Sequence, residues 1–194
     1  MRVIAGTAGG TRLAVPETDV RPTMDRVKAA IFSSLHTGII GARVLDLFAG
    51  TGALGIEALS RGAASALFVE ENRAAVLAIE QNFARAKLRG PVRKQEVFAF
   101  LESAGSRDRF DIIFADPPYE KTKNGGEFTR LLLENQMLAD LLEPDGLFIL
   151  EKRPEEQLLE LALWKIVRAK KYGATEVLFL KHPNVNSEVA ADDE

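Results

Sequence analysis

The sequence contains no cysteine and only two histidines in 194 residues. Without cysteine there is no disulfide framework, no thiolate zinc site and no iron–sulfur cluster. No covalent mechanism can run through a thiolate. His36 and His182 stand far apart in sequence, so a histidine-rich metal centre is excluded too, and no metal is expected. No run of about 18 apolar residues is present, so nothing reads as a transmembrane helix. The first residues lack the apolar core of a signal peptide. A cytoplasmic protein with no membrane partner is the expectation.

Charge is unevenly placed. The stretch 182–194 carries Glu188, Asp192, Asp193 and Glu194 with no Lys or Arg, so it accounts for the net charge of −3 and the rest of the chain is slightly basic. The first 40 residues set Arg2, Arg12, Arg21, Arg26 and Lys28 against Glu17, Asp19 and Asp25. Such a patch suits a phosphate backbone, and it also suits plain solvated surface.

From about residue 43 short apolar runs alternate with longer amphipathic stretches. Residues 44–48, 66–70, 92–97, 110–115, 147–151, 165–172 and 175–181 read as strands. Residues 53–61, 73–88 and 128–142 read as helices, the last preceded by the Gly125-Gly126 break. Pro144-Asp145-Gly146 reads as a turn. Strand–helix alternation predicts an α/β fold, a mostly parallel seven-stranded sheet with helices on both faces. The last two strands are too close for a crossover helix, so they pair antiparallel. Ahead of this unit, Gly6, Gly9, Gly10 and Pro16 punctuate a small hairpin, and Arg21-Pro22-Thr23 opens a helix over 25–35. The expected division is an N-terminal hairpin and helix extension at 1–40, a catalytic unit at 41–182 and a disordered acidic tail at 183–194.

The first sheet strand runs into a loop with glycines at 50, 52 and 55. That spacing allows a tight strand-to-helix turn over which a ligand can approach the backbone. A plain tight turn would show the same spacing, but two acids sharpen the reading. Asp46 lies at the strand end, and Glu70 closes the next strand, where a carboxylate can accept both hydroxyls of a ribose. A nicotinamide dinucleotide and S-adenosylmethionine both fit. The dinucleotide would bring a pyrophosphate towards Asp46. S-adenosylmethionine is cationic at its sulfonium and ammonium, and Asp46 favours it.

Asp116-Pro117-Pro118-Tyr119 follows the most apolar strand. Two prolines fix two φ angles and remove two donors, which leaves a rigid, acceptor-rich turn at the carboxyl edge of the sheet. Asp116 offers a carboxylate, Pro117 a carbonyl and Tyr119 an aromatic face. Together they can hold a planar base by its exocyclic amine. The absence of cysteine agrees with nitrogen, not pyrimidine carbon-5, as the methyl acceptor.

With these residues placed, the chain resembles the bacterial RsmD-type 16S ribosomal RNA guanine-N2 methyltransferases. The resemblance rests on the opening Met1-Arg2-Val3-Ile4-Ala5-Gly6, on the Arg21-Pro22-Thr23 helix start and on 46–62 with its loop and Glu57-Ala58-Leu59-Ser60-Arg61-Gly62. Phe68-Val69-Glu70, 111–119 and Lys171-Tyr172-Gly173-Ala174-Thr175 complete it. It implies a Rossmann-like class I methyltransferase fold. It also implies methyl transfer from S-adenosylmethionine to the N2 amine of a guanine in 16S rRNA, within the small subunit or an assembly intermediate. On that resemblance Asp46, Phe48, Gly50 and Gly52 line the cofactor, Glu70 takes its ribose, and Glu96 and Val97 border the adenine. Thr23 faces its methionine end, while Arg21 and Arg26 face either that end or the RNA. Arg2, Arg12 and Lys28 are candidates for RNA phosphates. Asp116, Pro117, Pro118 and Tyr119 are the catalytic residues. The competing readings are an adenine-N6 methyltransferase of DNA or RNA with the same chemistry, and a nucleotide-binding oxidoreductase or non-catalytic assembly factor. Asn82 reads as a surface or capping group, and Trp164 as core.

Overall fold

A computed structural model describes residues 1–15, 24–105, 108–118, 126–158 and 161–183. The strands are β1 (Arg43–Leu47), β2 (Ser65–Val69), β3 (Val92–Arg93), β4 (Phe110–Ala115), β5 (Leu142–Lys152), β6 (Lys165–Tyr172) and β7 (Thr175–Lys181). The helices are α1 (Met24–Leu35), α2 (Ala53–Ser60), α3 (Arg73–Ala86), α4 (Val97–Ser103), α5 (Glu127–Leu133) and α6 (Gln136–Asp140). All seven strands form one sheet in the order β3-β2-β1-β4-β5-β7-β6. The first five in sequence pair in parallel, and β7 runs antiparallel to both β5 and β6. The expected α/β sheet and its antiparallel end are therefore present.

The central strands are buried on both sides, as parallel strands covered by crossover helices must be. On one face α1, α2, α3 and the N-terminal segment pack against the sheet through Phe32, Ile56, Ile79, Phe83 and Phe114. On the other, α4, α5 and α6 bury Phe100, Leu101, Leu132 and Leu138 beside Phe148 and Trp164. Trp164 is core as expected, and its indole N–H donates to the Leu133 carbonyl at 3.0 Å.

Three elements differ from the sequence expectation, each for a local reason. The third strand stops at Arg93 because Glu96 caps a helix: its carboxylate accepts from the Ala99 amide at 2.8 Å. Helical spacing of Val97, Phe100 and Leu101 then carries the chain into the core. The single helix expected at 128–142 is two short ones, because Asn135 caps a new start by accepting from the Leu138 amide at 2.9 Å. The turn expected at 144–146 is an irregularity within β5. Pairing jumps from Phe110↔Leu142 to Ile112↔Leu147, which lets Pro144 sit where no ladder donor is needed.

The N-terminal segment is sewn to α2. An antiparallel bridge joins Arg2 to Arg12, and Val3 and Leu13 point into the sheet's own core. The buried Glu57 carboxylate accepts from the Ile4 and Ala5 amides at 2.6 and 3.1 Å. It also faces the Arg61 guanidinium at 2.7 Å and the Lys28 ammonium at 3.4 Å.

Candidate active site

Parallel strands bring their carboxyl ends to one edge, where ligands bind in open α/β sheets. Leu47 pairs with Ala115 across β1 and β4, so Phe48 and Asp116 are the next residues on adjacent strands. The glycine loop and the Asp-Pro-Pro turn thus leave the sheet side by side.

Phe48 opens the loop at φ +55°, a conformation that costs a bulky residue energy and collects at functional sites. Gly52 is the N-cap of α2 at φ +75°, where a side chain would also press on Ile56, Phe68 and Ile79 at 3.2–3.3 Å. Gly55 lets α2 approach β2, since a Cβ there would stand 2.4 Å from the Phe68 ring. Gly50 differs: a Cβ would meet only the Phe48 carbonyl at 3.9 Å, so its outer side is open. An open backbone beside an acid is what a cofactor cradle requires.

Two expected cofactor residues hold this loop from beneath. Asp46 is buried, and its carboxylate accepts from the Gly55 amide at 2.8 Å. Burial pushes its carboxyl up to about 8; the Gly55 hydrogen bond opposes the shift, and the charges of Asp116 and Glu70 add to it. Glu70 accepts from the Gly50 amide and the Asn72 amide, both at 2.8 Å. The charges of Glu70 and Asp116 therefore reach the same edge as Asp46, whose raised pKa keeps it largely protonated at neutral pH. A cation there is stabilised and an added anion is repelled.

Glu96 is half-buried at the start of α4, and the Val97 side chain after it is buried in the core. An aromatic wall that sequence reading missed continues from there. Phe48, Phe98 and Phe128 form a triad with ring centroids 5.7–6.4 Å apart, and Phe98 stacks on Phe128. Positions 48, 98 and 128 share no periodicity, so only the fold unites them.

Beyond Phe128 a hollow is lined by Pro117, Pro118, Gly126, Thr129, Glu151, Lys152 and Glu156. Its floor is cross-tied. The buried Lys152 ammonium donates to the Arg153 and Glu156 carbonyls at 2.7 and 2.8 Å and pairs with Glu176 at 3.0 Å. Thr129 donates to the Glu156 carboxylate at 2.6 Å.

The remaining expected residues divide. Tyr119, Thr23 and Arg21 lie outside the described residues. Arg2, Arg12 and Arg26 are exposed, as phosphate contacts would need. Lys28 is not. It is 4% exposed, and its ammonium donates to the Arg2 carbonyl at 2.6 Å and pairs with Glu57. Burial lowers its pKa against the pull of Glu57 and Asp25. Helical spacing on α1 turned it inward, and it is a structural cation.

Asn82 is also corrected. It is fully buried on α3, where its carboxamide accepts from the Ala14 amide at 2.6 Å. It donates to the Ala14 carbonyl at 3.1 Å and the Thr51 carbonyl at 2.9 Å. One side chain thereby ties the N-terminal segment to the glycine loop. Its place among Ile79, Phe83 and Ala86 on the buried helical face was the available signal.

Known proteins carry the same pattern. The family model described as conserved hypothetical protein 95 matches residues 1–181. Ribosomal RNA small subunit methyltransferase D of Escherichia coli (strain K12) is 37% identical over 176 residues, covering 89% of this chain and 85% of its own. A hypothetical protein of Thermus thermophilus has a solved structure with TM-score 0.75 and 32% identity, over 93% of this chain and 99% of that one. The Thermus thermophilus 16S rRNA N2 G1207 methyltransferase RsmC, solved with AdoMet and guanosine, gives TM-score 0.70 and 25% identity. That match covers 86% of this chain and 44% of the other.

Proposed function

This chain belongs to the conserved hypothetical protein 95 family of RsmD-type methyltransferases, and we propose that it methylates the exocyclic N2 amine of a guanine in 16S rRNA. S-adenosylmethionine is the donor, and the small ribosomal subunit or an assembly intermediate is the substrate. The bacterial cytoplasm, where subunits assemble, is then its place of work. Among the described residues no helix is long and apolar enough to cross a membrane.

One observation carries this reading. The open Gly50 loop over an acidic cluster and the Asp116-Pro117-Pro118 turn leave adjacent strands at the same edge. The residues fit the cofactor by charge: Glu70 and Asp116 favour a cationic ligand over a pyrophosphate, and a cation beside Asp46 would draw off the proton it holds. Glu70 takes the ribose, the open Gly50 allows close backbone approach, Gly52 makes the left-handed turn that starts α2, and Phe48 and Phe98 give flat apolar contact. When bound, S-adenosylmethionine supplies an electrophilic methyl group on sulfur.

The chain's own residues supply orientation. A guanine amine is a poor nucleophile because its lone pair is delocalised into the ring. The Asp116 carboxylate and the Pro117 carbonyl accept its two N–H bonds and turn the lone pair towards the methyl group. Charge-assisted hydrogen bonds contribute about 1.5–3 kcal/mol each. Alignment of two bound reactants supplies up to about 7–11 kcal/mol. As the bond from nitrogen to the methyl carbon forms and the carbon–sulfur bond breaks, Asp116 stabilises the positive charge developing on nitrogen and accepts the proton the amine then loses. Its role is that of an acceptor that tightens in the transition state, not of a base that first removes a proton.

A paired base cannot reach this turn and must be unstacked, at a cost of a few kcal/mol. Stacking on Tyr119, worth about 1–3 kcal/mol, offsets that cost. Arg2, Arg12 and Arg26 on the N-terminal segment contact phosphates. The exposed strand β6 carries a further basic group in Arg168, Lys170 and Lys171. At the register of the Glu151–Val177 pair, Lys170 stands level with the hollow.

The test is transfer of tritiated methyl from S-adenosylmethionine to unmodified small subunits, followed by nucleoside analysis. N2-methylguanosine is expected. N6-methyladenosine would move the activity to adenine, and no incorporation into subunits, naked 16S rRNA or DNA would refute methyl transfer.

A further inference from the structure

We propose that Glu151 is the residue that selects guanine over other aminopurines, by accepting the N1–H beside the reacting amine. The inference rests on the methyltransferase reading above. It is carried by register and by the lining of the hollow. Ala115 pairs with Leu150 across β4 and β5, so Asp116 and Glu151 are the next residues on neighbouring strands. Adjacent strands lie about 4.8 Å apart, so two carboxylate residues leave the sheet shoulder to shoulder. Glu151 lines the hollow together with Pro117 and Pro118.

The chemistry of the bases explains why a second carboxylate belongs there. Asp116 and the Pro117 carbonyl recognise an amino group, and adenine and guanine both have one. The amino group therefore cannot distinguish them. The neighbouring ring position can: guanine N1 carries a proton, whereas adenine N1 carries a lone pair. A carboxylate at that position accepts from guanine and repels adenine. Two further charged residues of the hollow shape it. Lys152 is held by two carbonyls and Glu176, and Glu156 accepts from Thr129. Glu151 is half-buried in the lining of the hollow, beside the Pro-Pro turn. Partial burial strengthens a hydrogen bond to a base and sharpens the penalty for an unpaired one.

The probe is 2-aminopurine, which keeps the 2-amino group but lacks the proton on N1. Small subunits are reconstituted with guanine or 2-aminopurine at the methylated position, and kcat/KM is measured for each. The full-length enzyme is expected to prefer guanine by at least about tenfold. Glu151→Gln, whose amide can donate to a bare N1, is expected to bring the two rates within about threefold. Glu151→Asp keeps the carboxylate and should keep the preference at a lower rate. Unchanged S-adenosylmethionine affinity and thermal midpoint in Glu151→Gln exclude a purely structural effect. A wild-type preference retained in Glu151→Gln, or no preference in the wild type, would overturn the assignment. Wild-type enzyme that methylates neither base would instead overturn the function itself, and the assignment with it.

Discussion

Removing the Asn82 carboxamide should loosen the active-site loop from behind. Asn82→Ala deletes three hydrogen bonds, to the Ala14 amide, the Ala14 carbonyl and the Thr51 carbonyl. All three partners are left at a site from which water is excluded, since Asn82 itself is fully buried. At about 1 kcal/mol net for each bond, the loss is about 3 kcal/mol. For a chain of this length each kcal/mol lowers Tm by about 2–4 °C, so a fall of about 6–12 °C is expected. The Thr51 carbonyl belongs to the glycine loop, so S-adenosylmethionine affinity should fall as well. Differential scanning calorimetry and titration calorimetry on the same protein measure both effects. Asn82→Asp separates the bonds: a carboxylate still accepts from Ala14 but cannot donate to either carbonyl, and it buries a charge. It should be at least as destabilised as the alanine variant at neutral pH. A Tm loss under about 2 °C in Asn82→Ala, or a stable Asn82→Asp, would refute the reasoning.

Other outcomes follow from the same geometry. Asp46 holds its proton more tightly folded than unfolded, with a carboxyl raised from 3.8 to about 8. Its contribution to stability is therefore fully present below the unfolded value and is lost as pH rises through that window. Asp46→Asn should flatten the Tm–pH profile between those limits, and a profile unchanged by the substitution would reject the assignment. Asp116→Ala should keep cofactor affinity and lower methyl transfer by at least about tenfold, the effect of losing one charge-assisted hydrogen bond in the transition state. Equal turnover of variant and wild type would remove Asp116 from the mechanism. Tyr119→Ala should slow transfer through lost stacking, whereas Tyr119→Phe should not; equal damage from both would mean that the hydroxyl matters. Glu70→Ala should weaken S-adenosylmethionine binding in calorimetry, because it removes both the proposed ribose acceptor and the tie to the Gly50 amide. An unchanged dissociation constant would reject both roles.

Much of the architecture was legible along the chain. Strand β4, the hairpin of β6 and β7 and the helix after the glycine loop stand where apolar periodicity and turn residues put them, since period 2 and period 3.6 are local properties. The chemistry-bearing motifs were legible for a similar reason. Gly50, Gly52, Asp116, Pro117 and Pro118 stand out by backbone conformation and strand-end position, and both are written in short stretches. Capping was harder to read. Glu96 and Asn135 each start a helix by accepting a backbone N–H, a choice that competes with strand extension or helix continuation by about 1 kcal/mol.

By itself the sequence determined the fold class, the sheet edge at which the glycine loop and the Asp-Pro-Pro turn meet and the family to which the chain belongs. Tertiary structure alone decided which polar residues are buried ties of the fold and which stay at the surface. Lys28 and Asn82 look like surface groups in a linear reading, yet both are buried, because the N-terminal segment folds back over α2 and α3. The aromatic triad of Phe48, Phe98 and Phe128 and the pairing of Asp116 with Glu151 across neighbouring strands likewise join residues remote in sequence. Hydrogen bonds and charges act over a few ångströms of space, and only the folded chain brings those residues within that range.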